Sequence, residues 1–435
     1  MLGGGTVGSG VFHAWQQNGD LMAARLGVQL TFRKIAVKAF DEPRPYPIPQ
    51  SLMTTDWQEV VNDPQIQVAI ELVGGTGIAK TMVLAALAQG KTVVTANKAL
   101  LSAAGPELFA AAAKSGANLY YEASVCGGIP IIKSLREGFV ANRFSAIYGI
   151  VNGTCNYILT RMKQEGADFA TVLADAQKQG YAETPPDLDI DGIDAQHKTG
   201  ILASLAHGFW VDHHAIHTEG IREVSKIDMQ FAQQLGYTIK LLGIVKESKI
   251  QNPKSKIGGG GVQVSVYPAL IPSTHVLAEV NQVFNAVFVR GDIVGDTMFY
   301  GRGAGKDATA SAVLSDVADA ALDLKHGGKV RVPPFVAHVK KGRITPMDEI
   351  VSQYYVRLSV VDRPGVLAKV AAIFAAAKIG ISSVIQPEGH EGESVPLILM
   401  LHNAPNAAMR KALAKISKLP VVKGKPVMFR VESLQ

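Results

Sequence analysis

Between residues 35 and 122, short apolar runs alternate with stretches of helical spacing, and this alternation restricts the fold more than any other feature of the chain. Ile35 to Phe40 and Val68 to Val73 are apolar runs that end in turn residues, as strands covered on both faces do. Thr81 to Gln89 has helical spacing, Thr92 to Thr95 is a strand, Leu100 to Ala113 is helical again, and Asn118 to Glu122 returns to strand. Parallel strands need helical crossovers, so the pattern predicts an α/β, doubly wound, Rossmann-type domain over residues 1–130. Ligands of such sheets gather at the carboxyl ends of the strands.

Gly3-Gly4-Gly5-Thr6-Val7-Gly8 sits at the head of this domain and fits GxGxxG. Gly3, Gly5 and Gly8 would let the backbone, with the N–H groups of Thr6 and Val7, approach a pyrophosphate at a helix N-terminus. A helix over Val11 to Gln17 can follow. Only Met1 and Leu2 stand where a first strand is needed. The reading therefore expects the natural start to lie upstream, and the neighbouring strands to be left with unpaired backbone groups. Alone, the motif fits an ordinary glycine turn equally well. After the second strand no carboxylate occupies Ala39, where a ribose 2′-hydroxyl would be held. Lys38 stands there with Arg44 close by, which favours NADP, with NAD as the alternative; two solvated surface cations are the plainer reading. Thr95-Ala96-Asn97-Lys98 closes another strand, where the Asn97-Lys98 pair can fix a nicotinamide or a substrate oxygen, or equally be a helix cap followed by a surface lysine.

Residues 131–340 read as an α+β domain, with extended runs at Val262 to Val266 and Ala286 to Val289. Its most informative segment begins at Gly180-Tyr181-Ala182-Glu183, passes through Asp187, Asp189 and Asp191, and enters a helix bearing Asp194 and Lys198. At 100° per residue, Asp194, Lys198, Ile201 and Leu205 lie within about 60° of one another, so the charged pair continues the apolar stripe and points inward. Inward charges are paired or functional, because isolated burial is costly; a structural i,i+4 salt bridge fits too. The aspartates lack the Gly and Glu positions of a calcium loop, so a catalytic metal is not expected there.

From residue 350 to 435, strand, turn (Asp362 to Gly365), helix, strand, strand, helix and strand follow in order, a ferredoxin-like β-α-β-β-α-β plan. The net charge is only +6, and Lys246, Lys249, Lys254 and Lys256 read as a solvated hairpin tip without interleaved aromatic residues, which excludes a nucleic-acid surface. No apolar stretch reaches membrane-spanning length. The two cysteines, Cys126 and Cys155, cannot form a disulfide framework, so they read as core residues in a cytoplasmic protein.

Along nearly its whole length the chain resembles the homoserine dehydrogenases. The matching stretches are Gly5 to Gly10, Glu71 to Gly75, Thr95 to Lys98, Glu122 to Val125, Gly127 to Pro130, Asn152 to Thr154, Gly180 to Glu183, Gly192 to Asp194 with Lys198, and Gly303-Ala304-Gly305 leading to Thr309 to Val313. The segment Asp362 to Leu367 resembles an ACT domain, an amino-acid-sensing module. The resemblance implies interconversion of L-aspartate 4-semialdehyde and L-homoserine, with Lys198 as proton donor assisted by Asp194. It implies substrate binding and dimerisation for residues 131–340, with substrate contacts from Glu183, Gly180, Lys98, Asn152 and Thr154. Gly74, Gly303 and Gly305 join the cofactor site, the segment of about 300–325 packing back on the first domain. Glu122, with the carbonyls of Val125, Gly127 and Ile129, matches a monovalent cation site, taken as sodium. L-Threonine is the implied effector, placed at Asp362 and Gly365, and a homodimer or homotetramer is the implied assembly. A catalytically dead amino-acid sensor and another amino-acid dehydrogenase are the alternatives. The chain departs from the family pattern at Thr184-Pro185-Pro186 in place of Ala-Asp-Pro, at Ala308 in place of Pro, at Cys155 in place of Thr, and in its short first strand.

Overall fold

The glycine-rich start leads directly into helix α1 (Thr6–Leu26), which ends at Gly27 in the left-handed region with φ 61°. The helix outruns the expected Val11 to Gln17, because beyond the exposed Gln16 to Asn18 the spacing resumes at Met22, which packs against the core. Strands β1 (Ile35–Ala36) and β2 (Met53–Thr54) follow, then α2 (Gln58–Asn62), β3 (Val68–Glu71), α3 (Ile78–Ala88), β4 (Thr92–Thr95), α4 (Lys98–Ser115) and β5 (Leu119–Tyr120). This computed structural model describes residues 1–248, 261–328, 330–340, 342–387 and 394–434.

All pairings in this sheet are parallel, β1 with β2 and β3 with β4 with β5. Leu2 bridges the two sets through Ala36 and Glu71. Its N–H donates to the Ile70 carbonyl at 2.7 Å, its carbonyl accepts from Leu72 at 2.8 Å, and Gly3 N–H donates to Ala36 at 2.9 Å. The expectation of unpaired neighbours is therefore corrected: Met1 to Gly3 run between β1 and β3 and supply the ladder bonds. Counting them as the first strand, the order is 3-2-1-4-5-6, the dinucleotide-binding arrangement. The runs around Ile35 and Val68 are shorter than predicted. At Glu71 the reason is local, since its carboxylate captures the Val73 and Gly74 N–H groups and turns the chain.

The chain forms two compact units, interleaved in sequence. The first comprises Met1–Gly153, Gln196–Ile216 and Phe284–Gly342. Besides the parallel sheet it holds β6 (Phe144–Ile150), antiparallel to the strand Phe284–Gly291, which pairs in turn with Gly295–Arg302. Helix Lys306–Lys325 packs beside α1, and Ala310, Val313 and Val317 join Val11, Phe12, Ile70 and Val94 in one core.

The second unit comprises Thr154–Ala195, His217–Val283 and Arg343–Gln435. Its strands Tyr237–Ser248 and Gly261–Pro272 are antiparallel. Next to them come Val422–Val431, Val351–Val361, Ser394–Pro405 and Ile381–Ile385, with helices Val366–Ala376 and Asn406–Ile416 covering the core of the last segment. The β-α-β-β-α-β order is as the sequence predicts. Lys246 is not at a hairpin tip: it lies within a strand and pairs with the buried Glu432 at 2.8 Å. Lys249, Lys254 and Lys256 lie outside the described residues. Cys126 and Cys155 are both buried, and neither is in a disulfide among the described residues. Among the described residues, no helix is long and apolar enough to cross a membrane.

One buried lysine in this unit yields a stability prediction. Lys240 is 2% exposed and donates to Val280 O at 2.5 Å and Asn156 Oδ1 at 3.2 Å. Burial pulls its ammonium down to about 7. The unfolded chain keeps that proton up to about pH 10.4. Between these values the unfolded state binds more protons, so this group makes the folded state gain stability as pH rises. Urea denaturation of Lys240→Met at pH 7 and pH 9.5 should therefore show a flatter pH dependence than the natural chain. An identical slope in the two would refute the assignment.

Candidate active site

The three motif glycines have three different structural reasons. Gly3 has φ 100°, and a Cβ there would lie 2.7 Å from the Leu72 carbonyl oxygen. A Cβ on Gly8 would stand 2.1 Å from the Gly3 oxygen, so helix and strand approach too closely for any side chain. Gly5 precedes α1 with nothing within 4 Å of its Cβ position, and Thr6 beside it is exposed. The first turn of a 21-residue helix, with Thr6, Val7 and Gly8 in it, therefore opens onto accessible space. Backbone N–H groups and the positive helix end suit a pyrophosphate there.

The neighbouring strand ends are locked together by a residue to which the sequence assigned no role. Glu71 is fully buried, and besides the Val73 and Gly74 N–H groups it accepts from Thr95 Oγ1 at 2.6 Å and Asn97 Nδ2 at 3.4 Å. Asn97 also donates to Gly75 O at 2.8 Å and caps α4 through Leu100 N–H. The Thr95 hydroxyl is thus spent on Glu71 and on the Asn97 N–H, holding the Gly74 loop, while half-buried Lys98 opens α4. An acidic residue ending a buried strand two and three positions before the N–H groups it captures was the signal available for Glu71.

The segment Gly303 to Gly305 returns to this region. Gly128 N–H donates to Arg302 O at 3.1 Å, a Cβ on Gly127 would stand 2.7 Å from Gly303 O, and a Cβ on Gly10 of α1 would meet Lys306 O at 3.2 Å. Asn285, 1% exposed, packs its side-chain amide on Gly303, and among the described residues neither amide atom has a hydrogen-bond partner. Only the pairing of distant strands brings this residue here, so sequence reasoning had no handle on it.

Glu122 is buried, and its carboxylate accepts from the Ile132 and Lys133 N–H groups at 2.8 and 2.7 Å. Its own N–H donates to the buried Asp316 at 2.8 Å. Burial pushes Glu122 up to about 7, and burial with the nearby Glu122 charge holds Asp316 well above the usual carboxylate range. Val125, Gly127 and Ile129 follow in the same buried segment.

Lys198 lies in helix Ile193–His207, is 7% exposed, and donates from Nζ to the Val151 carbonyl at 2.8 Å. Val151 directly follows β6, and buried Asn152 comes next. Asp194, one turn earlier on the same helix, is also buried. Both charged groups therefore point inward as the stripe predicts.

Of the remaining predicted residues, Lys38 and Arg44 belong to the first unit and the others to the second. Thr154 donates to Tyr181 O at 2.6 Å beside Gly180, which has φ 74°. Glu183 is exposed, and its carbonyl accepts from Gln177. Asp187 and Asp191 both pair with Arg222. Lys38 is exposed just past β1, whereas Arg44 is folded back onto the Ala39 and Phe40 carbonyls. Asp362 accepts from Gln386 at 3.0 Å, and Gly365 has φ 87° at the start of helix Val366–Ala376.

Residues 3–122 match the family model of the homoserine dehydrogenase NAD-binding domain, residues 130–318 that of homoserine dehydrogenase, and residues 354–420 the ACT domain. A homoserine dehydrogenase from Neisseria gonorrhoeae is 40% identical over 100% of this chain and 98% of its own. The crystal structure of one from Thiobacillus denitrificans superposes with a TM-score of 0.91 at 40% identity, covering 100% of this chain and 97% of that one. A hyperthermophilic archaeal homoserine dehydrogenase in complex with NADPH gives a TM-score of 0.61 at 27% identity over 74% of this chain and 96% of that one.

Proposed function

The chain belongs to the homoserine dehydrogenase family, a family of nicotinamide-dependent oxidoreductases, and we propose that Lys198 is its proton donor and NADP its preferred cofactor. The reaction interconverts L-aspartate 4-semialdehyde and L-homoserine. The observation that carries the lysine assignment is its buried ammonium, fixed by the carbonyl at the end of β6.

The open first turn of α1, with glycines where a Cβ would collide, fits a dinucleotide. Gly3, Gly5, Thr6, Val7 and Gly8 would hold its pyrophosphate, and Gly74, Lys98, Gly303 and Gly305 would border the nicotinamide. When bound, the reduced nicotinamide supplies the hydride. The protein does the rest. Lys198 presents an N–H to the aldehyde oxygen, stabilises the charge that develops there and delivers the proton. Asp194 favours the charged form of such a lysine. Glu183, Gly180, Asn152 and Thr154 orient the amino-acid end. The functional partition is 1–130 for the cofactor, 131–340 for substrate and dimerisation, and 350–435 for regulation, with about 300–325 serving the first; the packing of Lys306–Lys325 beside α1 supports it.

NADP preference rests on Lys38, the exposed cation past β1, since the Arg44 guanidinium is held by its own loop. The NADPH complex of the archaeal relative accords with it. The test is the ratio of kcat/KM for NADP and NAD with L-homoserine as substrate. Lys38→Ala should shift that ratio towards NAD, and an unmoved ratio would make Lys38 a bystander.

A monovalent cation, sodium, fits the buried segment beside Glu122 and Asp316, where positive charge offsets two buried carboxyls. The ligands would be Glu122, whose carboxylate is oriented by the Ile132 and Lys133 N–H groups, with the carbonyls of Val125, Gly127 and Ile129. A homodimer or homotetramer rests on the resemblance alone.

The ACT segment supports L-threonine as feedback inhibitor, bound at the turn from Asp362 to Gly365. Coupling of about 1–3 kcal/mol would be ordinary for such a site. Asp362→Ala should raise the half-inhibiting threonine concentration while leaving uninhibited turnover intact. Unchanged inhibition would move the effector elsewhere.

A further inference from the structure

Immediately after the helix that carries Lys198, the chain turns through Asp212, His213 and His214. One ligand atom from each lies within 4.8 Å of the others. Asp212 Oδ1 is fixed by the His214 N–H at 3.0 Å and stands 3.8 Å from His213 Nδ1. That nitrogen is buried and has no hydrogen-bond partner among the described residues. A third imidazole is close, for the His197 ring meets His213 edge-on with centroids 5.3 Å apart. The His213 and His214 rings are 3.9 Å apart.

Surface histidines and aspartates are usually solvated singly. Here two imidazoles and a carboxylate converge with a third imidazole ring beside them, and one ring nitrogen is withdrawn from water without a replacement among the described residues. Two donors each about 2.0–2.2 Å from one ion in tetrahedral geometry are roughly 3.3–3.5 Å apart. The Asp212–His213 separation therefore needs to close by only a few tenths of an ångström, and the widest pair by somewhat more than 1 Å, within the reach of half-exposed side chains in a turn. Imidazole suits borderline ions of the Zn²⁺, Ni²⁺ and Cu²⁺ type, whereas Mg²⁺ and Ca²⁺ want oxygen alone.

We propose that Asp212, His213 and His214, with His197 as fourth ligand, form a binding site for a borderline divalent metal ion of the zinc class, separate from the nucleotide turn. His197 directly precedes Lys198, so the ion would tie the turn to the helix that carries the proton donor. Its role would be to fix the end of that helix, not to take part in the chemistry.

The test is calorimetric titration of ZnCl₂ into the full-length chain, repeated with MgCl₂. One zinc ion should bind per chain at this site, and magnesium should not compete. Loss of one ligand should weaken binding at least about tenfold, since even outer partners of metal ligands are worth 10–100-fold. His213→Gln, Asp212→Asn and His197→Gln should each do so. Asp212→Asn keeps the hydrogen bond to His214 N–H and guards against misfolding as the cause, with unchanged thermal melts as the control. Zinc bound equally well by His213→Gln and Asp212→Asn, or no zinc heat in the natural chain, would overturn the site. Unchanged affinity in His197→Gln would overturn the four-ligand assignment.

Discussion

Lys198→Ala should lose turnover by about 10²–10⁴-fold, the usual worth of a general acid, while NADPH binding stays nearly unchanged. The two effects separate because the residues differ in place. The dinucleotide turn is built from Gly3 to Gly8 and the loop after β3, whereas Lys198 is held at the end of β6. The lysine donates to Val151 O at 2.8 Å. Truncation leaves that buried carbonyl without this donor, at a cost of about 1–3 kcal/mol in stability, which a thermal melt would register as a modest fall. Lys198→Arg keeps the charge but not the compact ammonium, and should rescue the melt without restoring turnover. Turnover of Lys198→Ala within a few-fold of the natural chain, measured with L-homoserine and NADP, would remove this residue from the mechanism.

The features that read easily in the sequence are those fixed by local periodicity. Strands buried on both faces show as continuous apolar runs, and the inward stripe of Asp194 and Lys198 follows from helix geometry alone. The ferredoxin-like order near the C-terminus is visible for the same reason. What the sequence hides is set by pairing between distant segments. β6 finds its partner at Phe284–Gly291, more than 130 residues later, and so draws Asn285 onto Gly303. Glu71 takes its meaning from Thr95 and Asn97, which reach it only through the β3–β4 register. Thr95 illustrates the limit from the other side. Its position at a strand end is legible, but the direction of its hydroxyl, towards Glu71, depends on a tertiary neighbour. The pairing of the first residues is hidden in the same way, since only the tertiary arrangement shows that Met1 to Gly3 supply ladder bonds to β1 and β3.

The largest stability effect outside the catalytic residues is expected at Asp228. It is fully buried and caps helix Lys226–Gln234 with Ser225, accepting from Ser225 Oγ at 2.7 Å and Ser225 N–H at 3.0 Å. The same carboxylate accepts from Tyr355 at 2.9 Å and from Arg357 Nε and Nη2 at 2.7 and 3.1 Å, both on strand Val351–Val361 of the regulatory segment. Burial, with the Asp228 charge beside it, raises the Tyr355 phenol far above its ordinary value, so that group stays a neutral donor at every working pH. Asp228→Ala leaves a half-buried guanidinium, a buried hydroxyl and a helix cap without their common acceptor. Breaking such a pair from one side typically costs about 3–5 kcal/mol, because desolvation of the remaining charge is no longer offset. Asp228→Asn keeps one acceptor and the shape of the side chain, and should lose less. The strand of the ACT segment would also be released from the helix it grips, so the proposed inhibition by threonine should weaken in Asp228→Asn before basal turnover does. Denaturant melts of the two variants check the first claim. A loss below about 1 kcal/mol in Asp228→Ala, the level of an exposed pair, would mean that Arg357 finds other partners and that this contact does not hold the regulatory segment in place.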